Sequence, residues 1–361
     1  LRIFFLLQLF ILQAGFICQA QTIDSSRGKR HILIVPIIAR SIETGWSFGV
    51  AGSSTFHISK KDTIARTSNL QLLANYSERK QFLIAADGSN YFPGEKYILN
   101  EHLSYSYFPD KFWGLGRSTP DSNEESYSFH QFYIYLHGRM HIHNRIFLGL
   151  LYEFQRVMDV EYNAGGVFDQ EHISGRNGYF ISGLGLSISF DNRNHAFTPT
   201  RGGVMEISFN HFDPLLGSSF RYTNFVIDAR RFWRIYKQQV LAGQFYAFIN
   251  SGDVPIRSFA ALGGSNSMRG YYEGRYTDKN QVIFQSEYRV PVYRRWGAVL
   301  FAGMGDVFHR IEDLRLFDMK FSYGSGVRFA VNRKENMNVR FDYGFGRGKS
   351  RGYYLQFAEA F

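Results

Sequence analysis

The 361-residue sequence holds a single cysteine, Cys18, and only eight prolines. Cys18 falls in a stretch, residues 1–20, that reads as an export signal. Arg2 precedes an apolar run, and Cys18-Gln19-Ala20 supplies small residues ahead of a cleavage point at Gln21. The run is short and interrupted by Gln8 and Gln13, which speaks against a membrane anchor, and Phe16-Ile17 before Cys18 speak against a lipoprotein. Loss of the signal removes the one thiol, so disulfides and thiolate metal sites are excluded. Past residue 20 no run of about 18 apolar residues occurs, which excludes a helical membrane protein. Basic runs are missing as well. The net charge is +10, but the arginines are dispersed, so no nucleic-acid partner is expected.

Aromatics are abundant: 17% of residues, with 36 Phe and 23 Tyr, alongside 35 glycines. Heavy Phe and Tyr use, alternating polarity and frequent turns fit an exported soluble all-β protein or a transmembrane β-barrel. After a tail at 21–31, strand patterning runs from residue 32 to residue 361 without a linker. In the sixth strand Phe132, Ile134, Leu136, Met140 and Ile142 share one face, and Gln131, Tyr133, Tyr135, His137, Arg139, His141 and His143 the other. About twelve residues or more of such alternation exceeds the usual five or six of a globular sheet and suits a tilted membrane crossing. Similar segments recur up to a last one at Gly352–Phe361, giving about 16 strands, an even number as bacterial barrels require. Connections after even strands are mostly short, and the long ones, 109–125, 159–177 and 251–278, follow odd strands. This is the asymmetry of periplasmic turns and external loops. The expectation is an all-β, antiparallel outer-membrane barrel spanning 32–361.

The longest turn-rich gap of the second half holds Gly263-Gly264-Ser265-Asn266-Ser267-Met268-Arg269-Gly270-Tyr271-Tyr272-Glu273-Gly274-Arg275-Tyr276. Its glycines permit tight folding and close approach to a wall. An arginine buried there needs hydrogen-bonded carboxylates. Parity nominates them: with Tyr288 and Val290 facing lipid, Glu287 faces inward, and with Phe341 and Tyr343 facing lipid, so does Asp342. Asp306 is a reserve. The histidines of the sixth strand make a poor metal site, since His137 and His143 lie about 20 Å apart at 3.3 Å per residue. No Gly-x-Ser-x-Gly elbow or other catalytic constellation is present, so neither an enzyme nor a cofactor is expected.

On these residues the sequence resembles the BamA/TamA family of outer-membrane insertases and two-partner-secretion transporters. Met268-Arg269-Gly270-Tyr271 is similar to the family's Val/Leu-Arg-Gly-Phe/Tyr motif at the tip of the sixth external loop. The turn Asp191, Arg193, Pro199, Gly202 is similar to its Asp-x-Arg…Pro-x-x-Gly signature. Phe301-Ala302-Gly303-Met304-Gly305-Asp306-Val307 resembles a Phe-x-Asp-x-Gly-x-Val segment, with Gly303 in place of the aspartate. The terminal aromatics Phe357 and Phe361 resemble an outer-membrane assembly signal, although Glu359 departs from the alternation. The resemblance implies that the sixth loop folds into the lumen with Arg269 held by wall acids. It also implies a first and last strand that pair weakly. The implied function is assistance in inserting or translocating polypeptides at the outer membrane of a Gram-negative bacterium. The implied partners are an unfolded outer-membrane or secreted polypeptide and membrane lipid, both lipopolysaccharide and phospholipid. The family's POTRA modules have no room between the signal and Ile32. A separately encoded periplasmic receptor is therefore a possible partner, and a passive channel or structural barrel is the alternative reading.

Overall fold

The computed structural model describes residues 31–59, 62, 65–195, 198–332, 337–357 and 359–361. The expected export signal and residues 21–30 of the expected tail lie outside them. The strands are β1 (His31–Ser41), β2 (Gly45–Phe56), β3 (Ser68–Ser77), β4 (Phe82–Tyr91), β5 (Tyr97–Phe112), β6 (Glu125–His143), β7 (Ile146–Glu161), β8 (Tyr179–Asp191) and β9 (Gly202–Phe212). They continue as β10 (Tyr222–Arg234), β11 (Val240–Gly252), β12 (Ala260–Leu262), β13 (Tyr276–Asp278), β14 (Asn280–Tyr293), β15 (Trp296–Phe308), β16 (Lys320–Asn332), β17 (Met337–Phe345) and β18 (Arg351–Phe357). All but β12 and β13 close into one antiparallel barrel in which each strand pairs with its neighbours in sequence; β12 and β13 form a separate two-stranded ribbon inside the 253–279 connection. The barrel thus has sixteen strands, as expected.

Polarity in this barrel is inverted relative to a soluble one. The outer face carries Ile32, Ile34, Leu72, Ile84, Leu150, Leu186 and Leu300, all exposed. The inner face buries Ser53, Gln71, His102, Gln131, Gln155, Asn210 and Gln285. Water would penalise so much exposed hydrocarbon, whereas lipid accepts it. Among the described residues no helix is long and apolar enough to cross a membrane; the strands have the pattern for it.

Two features place the regions that matter below. At the long-connection end, β5 and β6 pair as far as Phe112 opposite Glu125. There an aromatic cluster of Phe112, Tyr127, Phe129, Phe168, Tyr179, Phe212, Tyr222 and Phe259 is buried. At the closure of the barrel, β1 and β18 meet at Arg40 opposite Leu355, while the β1–β2 ladder runs unbroken from His31↔Thr55 to Ser41↔Gly45. Extending the seam register sets Ile38 against Phe357, where β18 stops, so residues 31–37 of β1 face no β18 residue.

The end of β18 corrects the expected last strand, Gly352–Phe361. Continued period-2 extension would turn Glu359 to the same side as Tyr353 and Leu355, the lipid side, where a carboxylate is costly. Instead the strand ends at Phe357. Glu359 pairs with Arg328 Nε at 2.8 Å, and Phe361 is buried against Phe232, Val240 and Ala242. Phe361 therefore does not stand on the outer face with the other aromatics.

Candidate functional site

The tip of the 253–279 connection combines the residues picked out in the sequence. Gly263, Gly264, Gly270 and Gly274 have φ of 115°, 109°, 111° and 81°, a region that side chains other than glycine's rarely enter. Gly270 is the position where this matters most. A Cβ there would lie 2.6 Å from the backbone carbon of Phe345, and one on Gly344 would lie 2.6 Å from the carbonyl oxygen of Arg269. Two glycines thus allow backbone to press on backbone at β17. The contact fixes the next residue back, Arg269.

Arg269 is almost fully buried. Its Nη1 donates to Asp342 Oδ2 at 2.6 Å, and its Nη2 donates to Glu287 Oε1 at 2.5 Å. The guanidinium plane lies over the Phe301 ring, 3.6 Å from its centroid. The carboxylates are shared further: Glu287 also takes Arg289 at 2.7 Å, and Asp342 takes Arg328 at 2.5 Å and Arg340 at 3.0 Å. Arg340 Nη2 in turn donates to Asn266 Oδ1 at 2.7 Å, back in the tip. A dry cluster of this kind holds together only if its charges hydrogen-bond one another. Arg289, Arg328 and Arg340 all stand at inward parity in their strands, which is the signal by which they could have been added. Phe301 shares that inward parity but, being apolar, was not marked as a partner, and Asn266, in the connection, had no such signal.

Gly303 has a packing reason. A Cβ there would come within 3.2 Å of Met268 Sδ and of Gln285 Cβ, so both would have to give by a few tenths of an ångström. The arginine has an aromatic face at Phe301, two residues away. Asp306 is not a partner of Arg269. It pairs with Lys320 at 2.6 Å and Arg117 at 2.7 Å. The reason is face and height: Glu287 stands opposite Phe301 at inward parity, whereas Asp306 stands opposite Val282 at the other parity. Five residues separate the two levels, about 17 Å at 3.3 Å per residue.

Neighbouring tip residues reach other walls. Tyr271 hydroxyl donates to the Phe321 carbonyl at 2.9 Å and accepts from the Arg347 amide at 2.6 Å. The Gly270 amide donates to Tyr354 hydroxyl on β18 at 3.0 Å. Tyr272 hydroxyl donates to Asp110 at 3.0 Å. Arg275 donates to Thr119 and Asp121, and Arg257 to Asp110 and Tyr127. The Glu273 amide donates to Glu43 Oε1 at 3.1 Å, in the β1–β2 turn. Burial pushes the Glu43 carboxyl above its ordinary range, with the Asp110 charge adding to that. Glu43 and Asp110 are participants that the sequence did not flag.

The other expected residues lie elsewhere. Arg193 clamps Asp191 with two bonds, at 2.9 and 2.6 Å, in the β8–β9 turn. Gly202 there has φ 91°, and a Cβ would meet the Asn192 carbonyl oxygen at 2.2 Å; Pro199 is buried. Phe357 pairs with Val339 at the end of β18. His137 is buried and bonded to Ser187 at 2.8 Å, while a register irregularity follows His141 and leaves His141 and His143 exposed.

Comparison with known proteins bears on this barrel with its buried, arginine-anchored connection. A model of the Omp85 superfamily domain matches residues 44–358. The chain belongs to the Omp85 superfamily. Among solved structures, this Omp85 chain is similar to BamA from Haemophilus ducreyi lacking POTRA domains 1–3, at 14% identity and TM-score 0.61, over 91% of this chain and 70% of that one. It is similar to CdiB from Acinetobacter baumannii at 12% identity and TM-score 0.59, and to CdiB from Escherichia coli at 11% and 0.58. It covers 59% and 62% of those two chains, less than two thirds of their length. At such identities the likeness is one of fold. No curated protein matches the sequence. The fold is one characteristic of Gram-negative outer membranes.

Proposed function

We propose that this Omp85 barrel lies in the outer membrane of a Gram-negative bacterium and helps polypeptides enter or cross it, with the β1–β18 seam as the working edge and the 253–279 connection as a lumenal plug anchored by Arg269. The observation that carries the reading is the seam itself. Among the described residues, 31–37 of β1 have no partner on β18, which leaves their amides and carbonyls on that side for an incoming strand. An added strand gains main-chain hydrogen bonds without any covalent energy source. The substrate would be an unfolded outer-membrane or secreted polypeptide, delivered by a separate periplasmic receptor or directly.

The test is a reversible lock. Arg40→Cys with Leu355→Cys places a thiol pair across the one recorded seam register, at the Cα separation of an antiparallel pair, about 4.5–5.5 Å, which a disulfide spans. The oxidised barrel is expected to lose assembly of its client polypeptides and to regain it on reduction. Normal client levels in oxidised cells, with the crosslink verified, would remove the seam from the mechanism.

A further inference from the structure

The short-turn end of the barrel carries a basic and aromatic surface that the polypeptide-handling reading leaves without a role. Arg201, Arg231, Arg234, Lys237, Arg294 and Arg295 are all exposed there. They come from three turns that the topology sets side by side, because β9, β10, β11, β14 and β15 are consecutive in the wall. The β10–β11 and β14–β15 turns lie about two strand spacings, roughly 10 Å, apart. No Asp or Glu occurs in 198–205, 229–243 or 288–300, and among the described residues none of the six basic side chains has a carboxylate partner. At the opposite end acids and bases are mixed: Glu78, Glu171, Glu312 and Asp318 are exposed among Arg79, Arg315 and Arg347.

Aromatic rings interleave with these charges. Trp233, Tyr236, Tyr293 and Trp296 are 47%, 59%, 62% and 50% exposed. Lys237 lies 5.1 Å from the centroid of Tyr236, and Arg294 lies 5.2 Å from that of Tyr293. Trp233 and Trp296 have outward parity, directly beyond the apolar belt. Such rings settle at headgroup depth. Arg231 is also at outward parity, two residues from Trp233, so its cation points sideways at that depth rather than into bulk water. Lys237 and Arg294 hold left-handed conformations, each with φ 47°, as do Asn144 (φ 51°) in the β6–β7 turn and Lys80 (φ 62°) in the β3–β4 turn at the other end, so Asn can replace any of these basic residues without straining its turn.

We infer that this surface binds the phosphodiester headgroups of anionic phospholipid in the leaflet next to the short turns, with the rings inserted at the interface and the arginines and Lys237 on the phosphates. The inference rests on the reading that the barrel spans a membrane, with these turns at the periplasmic side. It names the lipid class that would surround that rim, four to eight strands round the wall from the β1–β18 seam.

The test uses the purified full chain in phosphatidylcholine vesicles doped with brominated phosphatidylglycerol or brominated phosphatidylcholine. Trp233 and Trp296 report the lipid beside them by quenching. The wild type is expected to prefer phosphatidylglycerol, with each basic residue near the headgroups contributing about fivefold, and to lose the preference at high salt. Lys237→Asn, Arg294→Asn and Arg295→Gln together should bring the ratio toward one; Asn keeps the left-handed turns, and heat-dependent gel migration verifies folding. Arg79→Gln with Lys80→Asn at the other end should leave the ratio unchanged. A wild-type ratio near one, or a preference retained in the triple variant, overturns the inference. So does loss of the preference in inorganic phosphate but not in chloride of equal ionic strength, which would make free phosphate the ligand. No polypeptide substrate enters the measurement, so a barrel that fails the seam test can still pass this one.

Discussion

Arg269 is the residue on which the tip of the 253–279 connection turns, and its neighbours set what its loss should cost. Removing one partner of a buried ion pair costs about 3–5 kcal/mol when the other is stranded. Here Glu287 and Asp342 keep Arg289, Arg328 and Arg340, so Arg269→Ala is expected at the low end, near 3 kcal/mol. Its readout is faster proteolysis within 263–276 while the barrel still resists heat. Arg269→Lys should fall between, because an ammonium cannot fork to two carboxylates. Phe301→Leu, which keeps apolar bulk but removes the ring face, should cost about 1–2 kcal/mol. Protection of the tip in Arg269→Ala equal to wild type would show that glycine packing at Gly270 and Gly344, not charge, holds it. Parity in the sequence was enough to put Glu287 and Asp342 on the inward face. Counted from Phe301 opposite Glu287, the same parity sets Asp306 on the other face, and the register adds that it also stands at a different height. Height depends on register with neighbouring strands, and that is legible only in the folded barrel.

At the scale of elements, the tip touches both strands that border the seam: β18 through Tyr354 on the Gly270 amide, and the β1–β2 turn through Glu43 on the Glu273 amide. Glu43 is packed among Tyr272, Tyr354 and Asp110. Its folded pKa is raised, so the folded state holds the proton more tightly than the unfolded chain. By linkage, its contribution is full below the ordinary glutamate range and declines as pH rises through the raised value. Protection of 263–276 from protease should therefore fall as pH climbs from about 4, and Glu43→Gln should flatten that slope while keeping the acceptor for Glu273. A slope that survives in Glu43→Gln assigns it to another group. Element boundaries were partly legible. Sixteen alternating segments match the wall strands, but β6 runs on to Glu125 and β18 stops short at Phe357. The first extension is fixed by pairing with β5. The second was foreshadowed by Glu359, the one carboxylate in an otherwise lipid-facing row.

For the whole molecule, the question is whether the barrel conducts. A wall of 16 strands leaves an aqueous channel when nothing fills it. The passive-channel alternative needs that space open. Against it stand the buried tip, the bonds from Arg275 to Asp121 and from Arg257 to Asp110, and the aromatic cluster at the long-connection end. The proposed plug thus predicts small conductance for the wild type in planar bilayers. Replacing residues 264–274 by a short Gly-Ser linker should raise it at least several-fold, toward that of an open 16-stranded pore. The oxidised Arg40→Cys/Leu355→Cys barrel then separates the two routes. Ions pass along the lumen axis, so a seam lock should leave the conductance of both the wild-type and the linker form unchanged while abolishing client assembly. Conductance that falls on oxidation would mean that the seam itself is the aqueous path, and a large wild-type conductance would favour the channel. The tip meets the seam through the amides of Gly270 and Glu273, both removed in the linker form. The locked linker form is therefore the variant that tells whether holding the loop and opening the edge are one event or two.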